Sequence, residues 1–83
     1  MARCDPEALE RIGRQVKRWT HAAVQDADPG VKFLHASYAL GVLDMLRQLA
    51  PDDEILAVTG IRTLGLQEAL GELQDQAQAE LGR

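Results

Sequence analysis

Few side chains in this chain are equipped for chemistry. The histidines are His21 and His35, fourteen residues apart and on different predicted helices, and the single cysteine is Cys4. Zinc sites draw on closely spaced ligand pairs that converge on one centre, and this spacing supplies none. His35 falls in the middle of the apolar arc of a predicted helix, flanked by Tyr38, Val42 and Leu46. A buried imidazole without a hydrogen-bond partner costs about 1–3 kcal/mol. It is therefore read as a satisfied core or interface histidine, with a small-ligand or metal domain centred on it ranking third among the readings. His21 lies among cations on an exposed face and is assigned no role.

Carboxylates are more numerous, but their placement speaks for structure. Asp52, Asp53 and Glu54 are adjacent where a helix starts, and stabilising the positive end of its dipole explains them. A catalytic pair needs opposed carboxyls in environments that push their pKa values apart, which a solvated first turn does not provide. Ser37 has no His/Asp pairing at local spacing, and no glycine loop is built to cradle phosphate. The chain is expected not to be an enzyme and to bind neither cofactor nor metal.

Ile55-Leu56-Ala57-Val58-Thr59-Gly60-Ile61-Arg62-Thr63-Leu64-Gly65-Leu66 resembles a helix-turn-helix corner. As a small DNA-binding transcriptional regulator, the chain would use residues 52–74, with Arg62 and Gln67 reading bases and Arg14, Lys17 and Arg18 as a second basic element. Glu68, Glu72 and Asp75 on the would-be reading helix oppose this, because duplex DNA carries one negative charge per about 1.7 Å of axis. Nucleic acid is disfavoured, and a capped corner in a small bundle is the preferred reading.

The cations gather elsewhere. Arg11, Arg14, Lys17 and Arg18 form a ridge on the first helix, whereas residues beyond position 35 are strongly acidic. Glu7–Arg11 and Glu10–Arg14 are four-apart pairs in the favourable order, each worth about 0.2–0.5 kcal/mol. Lys17 and Arg18 have no such pair. The ridge is read first as a solvated helix face and second as a contact for an acidic partner or for an acidic helix of another copy.

The elements that must position these groups are all helical. Asp5-Pro6 and Asp28-Pro29 repeat one device: an aspartate accepts from first-turn amides, and a proline occupies a position that needs no amide bond. Pro51 opens a third helix, Thr59-Gly60 closes it, and Thr63 is expected to cap a fourth. The predicted helices span 6–27, 30–49, 52–58 and 64–81. At about 100° per residue the first carries one stripe, Leu9, Ile12, Val16, Trp19 and Ala23. The second carries Val31, Leu34, Tyr38, Val42, Met45 and Leu49, widened by Ala39, Leu43 and Leu46 to about half its circumference. Its polar strip is Ser37, Gly41, Asp44 and Gln48. The last shows a narrow seam, Leu66, Leu70, Leu73, Ala77 and Leu81, of the kind found in coiled-coil contacts.

The expected fold is an all-α, small four-helix domain in long-long-short-long order, residues 1–83 as one unit, with a central two-sided apolar helix. Eighty-three residues bury only about 60% of their unfolded surface. Phe33 and Leu40 fall outside the central arc, so folding is expected to be completed by association. The expected function is that of a non-enzymatic structural or adaptor module, a subunit of a larger assembly. Its partner is itself, as a homodimer or higher homo-oligomer, or another helical protein. The expected contact residues are Phe33, Leu40, Leu66, Leu70, Leu73 and Ala77.

Composition narrows the setting. Trp19, Phe33 and Tyr38 are the only aromatic residues, too few for a base-stacking platform. One cysteine cannot form an internal disulfide. The central stretch free of Asp, Glu, Lys and Arg runs only from Phe33 to Leu43, against about 20 apolar residues for a membrane span. The first residues show no apolar signal region. A cytoplasmic location away from membranes is expected.

Overall fold

The computed structural model describes residues 5–82. It contains α1 (Pro6–Gln25), α2 (Pro29–Leu49), α3 (Asp52–Thr59) and α4 (Thr63–Leu81), with no strand among the described residues. The order is long, long, short, long, and the domain is all-α. Among those residues no helix is long and apolar enough to cross a membrane.

Local chemistry sets the helix ends. The Asp5 carboxylate accepts from the Glu7 amide at 3.2 Å. Asp28 accepts from the amides of Gly30 at 2.8 Å and Val31 at 3.3 Å. Each therefore satisfies donors that a first turn leaves open. α1 stops at Gln25, two residues before its expected end, because Asp26 adopts an extended conformation and bonds His35 through its side chain. The Lys32 ammonium then donates to the carbonyl of Ala23 at 2.7 Å, a cation placed where a helix C-terminus favours one. Gly60 closes α3 at φ 77°, in the left-handed region. Thr63 is the first residue of α4 and not its cap: Arg62 holds the cap position and no side chain bonds the free amides there.

α2 is the central element. The short connection Asp26–Asp28 folds it back along α1, and α4 also packs against it, while α1 and α4 barely touch each other. Gln74 bonds Ser37 and Arg47 bonds Gln67, so α4 runs antiparallel to α2 as α1 does. The core joins Leu9, Val16 and Ala23 of α1, Ala36, Ala39, Leu43 and Leu46 of α2, Ile55 of α3, Ile61 of the α3–α4 connection and Leu70 of α4.

Two placements differ from the sequence reading. α2 turns most of its expected main stripe outward: Val31, Leu34, Tyr38, Met45 and Leu49 are exposed, whereas Val42 is half-buried against the core. The residues that fill the core (Ala36, Ala39, Leu43, Leu46) lie roughly a third of a turn away at 100° per residue. The second difference concerns Phe33 and Leu40, expected to be apolar surplus left for a partner. Leu40 packs against the core and Phe33 is half-buried, both on the side of α2 that α4 approaches. The chain covers them itself.

α3 is held to α1 by a contact that admits no side chain on the α1 side. Gly13 is buried, and a Cβ built there would stand 2.7 Å from Thr59 Cγ2 and 2.9 Å from Thr59 Cβ. Thr59 cannot yield, because its hydroxyl donates to the Ile55 carbonyl at 2.6 Å and accepts from the Ile61 amide at 3.1 Å. Gly13→Ala is therefore expected to cost about 1–3 kcal/mol in overpacking, less about 1 kcal/mol returned by the helix propensity of alanine. Gly71 is the control, since a Cβ there would meet nothing within 4 Å; Gly71→Ala should stabilise by up to about 1 kcal/mol. Urea titrations of both variants, followed by circular dichroism, check the opposite signs.

Candidate functional site

The exposed side of α2 is the most distinctive surface of the molecule. Val31, His35, Tyr38, Val42, Met45 and Leu49 recur at alternating spacings of four and three, the period of a helix–helix seam. Leu34 lies beside them. The stripe runs from residue 31 to residue 49, about 27 Å at 1.5 Å per residue. Val31, Tyr38, Met45 and Leu49 of the stripe are exposed, as is Leu34 beside it, with Leu34 at 46%, Tyr38 at 47% and Met45 at 49%, while His35 and Val42 are half-buried. A contiguous apolar patch of a few hundred Å² on a small protein commonly marks an interaction site.

Trp19 builds one wall of this surface from α1. Its ring centroid lies 5.3 Å from that of Tyr38 in an edge-on arrangement and 5.3 Å from that of His35, spacings at which aromatic pairs attract. The Arg18 guanidinium carbon sits 5.5 Å from the Trp19 centroid, close enough for a cation–π contact. Trp19, Ser37, Tyr38, Gly41, Val42 and Met45 line an open groove of about 430 Å³. Gly41 is exposed, and a Cβ there would meet nothing within 4 Å. A mid-helix glycine costs about 1 kcal/mol relative to alanine, and nothing inside the chain requires one here. Its absent side chain leaves room for another backbone to come close.

His35 ties this face to the turn below it. Its Nδ1 bonds the Asp26 carboxylate, and the half-buried imidazole is tilted by 41° against the Trp19 ring. Among the described residues no group of three or more His, Cys, Asp or Glu side chains converges.

The remaining candidates fall in different places. Of the expected contact residues, Leu70 and Ala77 are fully buried, so neither can touch a partner while the fold is intact. Leu40, Leu66 and Leu73 pack against the core, and Phe33 is half-buried. The narrow seam of α4 is narrow because it closes on α2. Sequence reasoning thus took the inward seam for the contact and the outward stripe for the core. One signal separates them: small residues, Ala36 and Ala39, mark the side of α2 where neighbouring helices come close.

The basic ridge is exposed, as drawn from the sequence, but unevenly free. The Lys17 ammonium donates to the Thr59 carbonyl at 2.6 Å, fastening α1 to α3. Arg14 lies 3.9 Å from Glu10 across a solvated pair of little energetic weight. Arg11 and Arg18 make no ion pair within 4 Å among the described residues.

At the α3–α4 corner, Arg47 bridges three elements. It holds Asp52 through two bonds, 3.0 and 3.3 Å, and donates to the Gln67 side-chain carbonyl at 2.6 Å. The Thr63 hydroxyl first, and the Arg47 guanidinium second, keep the Asp52 carboxyl below the usual carboxylate range. Gln67 is therefore engaged within the fold, and the groove beside Arg62 is lined by Asp52 and Asp53. The two side chains proposed to read bases share their surroundings with carboxylates.

The fold and this surface define a small all-α bundle with one apolar helix face left open. Compared with protein-family models, curated proteins and solved structures, the chain matches none.

Proposed function

We propose that this chain is a non-enzymatic association module, a small helical subunit whose partner is a second copy of itself docked on the outward face of α2. The observation that carries this reading is the exposed seam of α2. Its side chains repeat with the period of a two-helix contact along about 27 Å, Trp19 walls it, and Gly41 leaves a gap in it. Isologous pairing is the simplest way for one chain to cover such a face, because the same patch serves both partners. A reducing, cytoplasmic setting accords with the lone Cys4.

Sedimentation equilibrium of the full chain from low to high micromolar concentration tests the proposal. The expected species has twice the chain's mass at the upper end and dissociates on dilution. A chain that keeps its single-chain mass throughout, with its helical content intact, overturns the self-association reading.

A further inference from the structure

We infer that the two copies pair in parallel about a two-fold axis running along α2, with the cationic α1 of each protomer set against the acidic α4 of the other. This inference rests on the self-association reading and adds the direction of pairing, which that reading leaves open.

The argument begins with what borders the open face. On one side stands α1, which presents Trp19 and the Arg18 guanidinium above it. On the other stands α4, whose Gln74 amide donates to Ser37 at 2.9 Å, with Asp44 exposed on α2 between the stripe and α4. The two borders carry opposite charge. α1 holds Arg11, Arg14 and Arg18 against Glu7 and Glu10, with Lys17 engaged by the Thr59 carbonyl of α3, whereas α4 holds Glu68, Glu72, Asp75 and Glu80 and no Lys or Arg. The α4 carboxylates, like Arg11 and Arg18, have no ion-pair partner within 4 Å among the described residues.

Symmetry then decides which borders meet. A two-fold axis perpendicular to α2 pairs the helices antiparallel and sets α1 against its own copy and α4 against its own copy, like charge on like. A two-fold axis along α2 exchanges left and right, so that α1 of one protomer crosses to α4 of the other. Like-charge juxtaposition at a rim penalises a docking mode, and opposite charge selects it. The parallel mode places two α2 dipoles side by side in the same sense, but dipole effects are confined to the terminal turns, whereas the charged borders extend along the helices. The seam itself is neutral on direction, because a four-three repeat reads the same from either end.

Oxidative cross-linking of single thiols distinguishes the two modes. With Cys4 replaced by serine, Val31→Cys and Leu49→Cys each carry one thiol, at exposed positions on opposite ends of the stripe. A disulfide requires Cα atoms within about 7 Å. In the parallel dimer each variant links to its own copy, and a mixture of the two yields no mixed product beyond background. A dimeric mass with only the mixed Val31→Cys/Leu49→Cys product overturns the parallel arrangement and leaves self-association standing. A helical chain that stays monomeric overturns both. As a second measurement, the double variant Arg11→Glu with Arg18→Glu should dissociate at least tenfold more readily at low salt than the unaltered chain, with the difference shrinking as salt screens the rim. An unchanged dissociation constant overturns the role given to α1.

Discussion

Leu43→Ala is expected to remove a large part of the domain's stability, while Leu34→Ala on the same helix leaves it nearly intact. Leu43 is 1% exposed and lies in the core, whereas Leu34 is 46% exposed. Truncating a buried leucine loses its transfer free energy and leaves a cavity, together about 2–5 kcal/mol. A chain of this length has only about 4–12 kcal/mol of net stability at 0.05–0.15 kcal/mol per residue. The cost at Leu43 therefore amounts to between about a sixth of the total and all of it. At Leu34 the monomer loses a side chain that water already reaches, and the change should stay within about 0.5 kcal/mol, as at ordinary surface positions. Urea denaturation at low concentration, where association contributes little, measures both. A larger loss at Leu34 than at Leu43 would place α2 the other way round.

That comparison bears on what the sequence could disclose. The helices were legible because their ends are written locally. Asp28 accepts from the amides directly after Pro29, and Gly60 takes the left-handed conformation that ends α3. The orientation of α2 was not legible, because apolar residues occupy most of its circumference and a period of 3.6 identifies a face only where the other faces are polar. Side-chain size carried the missing information. Ala36 and Ala39 let α1 and α4 approach, which turns the bulkier Leu34, Tyr38 and Met45 away from the core. The seat of α3 was hidden for another reason. Gly13 and Thr59 are 46 residues apart, and nothing near either shows that one must lack a side chain for the other to fit.

The same reversal moved the candidate site. Leu70 and Ala77 form a narrow seam, and narrowness suits an intramolecular helix contact as well as it suits an intermolecular one. The choice between them depends on whether α2 has a free side for α4, and Ser37 and Arg47 provide it. The Gln74 amide reaches the Ser37 hydroxyl and Arg47 reaches Gln67, so part of the presumed polar strip of α2 is a helix–helix contact. Once α4 is spent inside the protomer, the longest run of exposed apolar side chains lies on the stripe from Val31 to Leu49, with Val24, Leu56, Leu64 and Leu81 exposed singly elsewhere.

The combined variant Leu34→Asp with Met45→Asp is expected to abolish self-association while leaving the monomer folded. Both side chains are about half exposed in the protomer, so the intramolecular loss is small. The expected costs are those of a surface change plus the lower helix propensity of aspartate, each within about 0.7 kcal/mol. At the interface the balance is different. Each site gives up about 0.7–1.5 kcal/mol of apolar burial, half the value for a fully exposed side chain because the protomer already covers the rest, and confines a carboxylate without a partner, a penalty that adds to the lost burial. Each substitution occurs twice in a two-fold dimer, so the four altered sites amount to at least about 4 kcal/mol, a thousandfold or more in dissociation constant. Sedimentation should therefore show a single-chain mass at every accessible concentration, with the helical signal unchanged and the urea midpoint no longer dependent on concentration. A variant that stays dimeric would show that the stripe is not the contact, and one that unfolds as a monomer would show that these side chains belong to the core after all. The two failures differ in kind, because the first removes the partner from this face and the second removes the face.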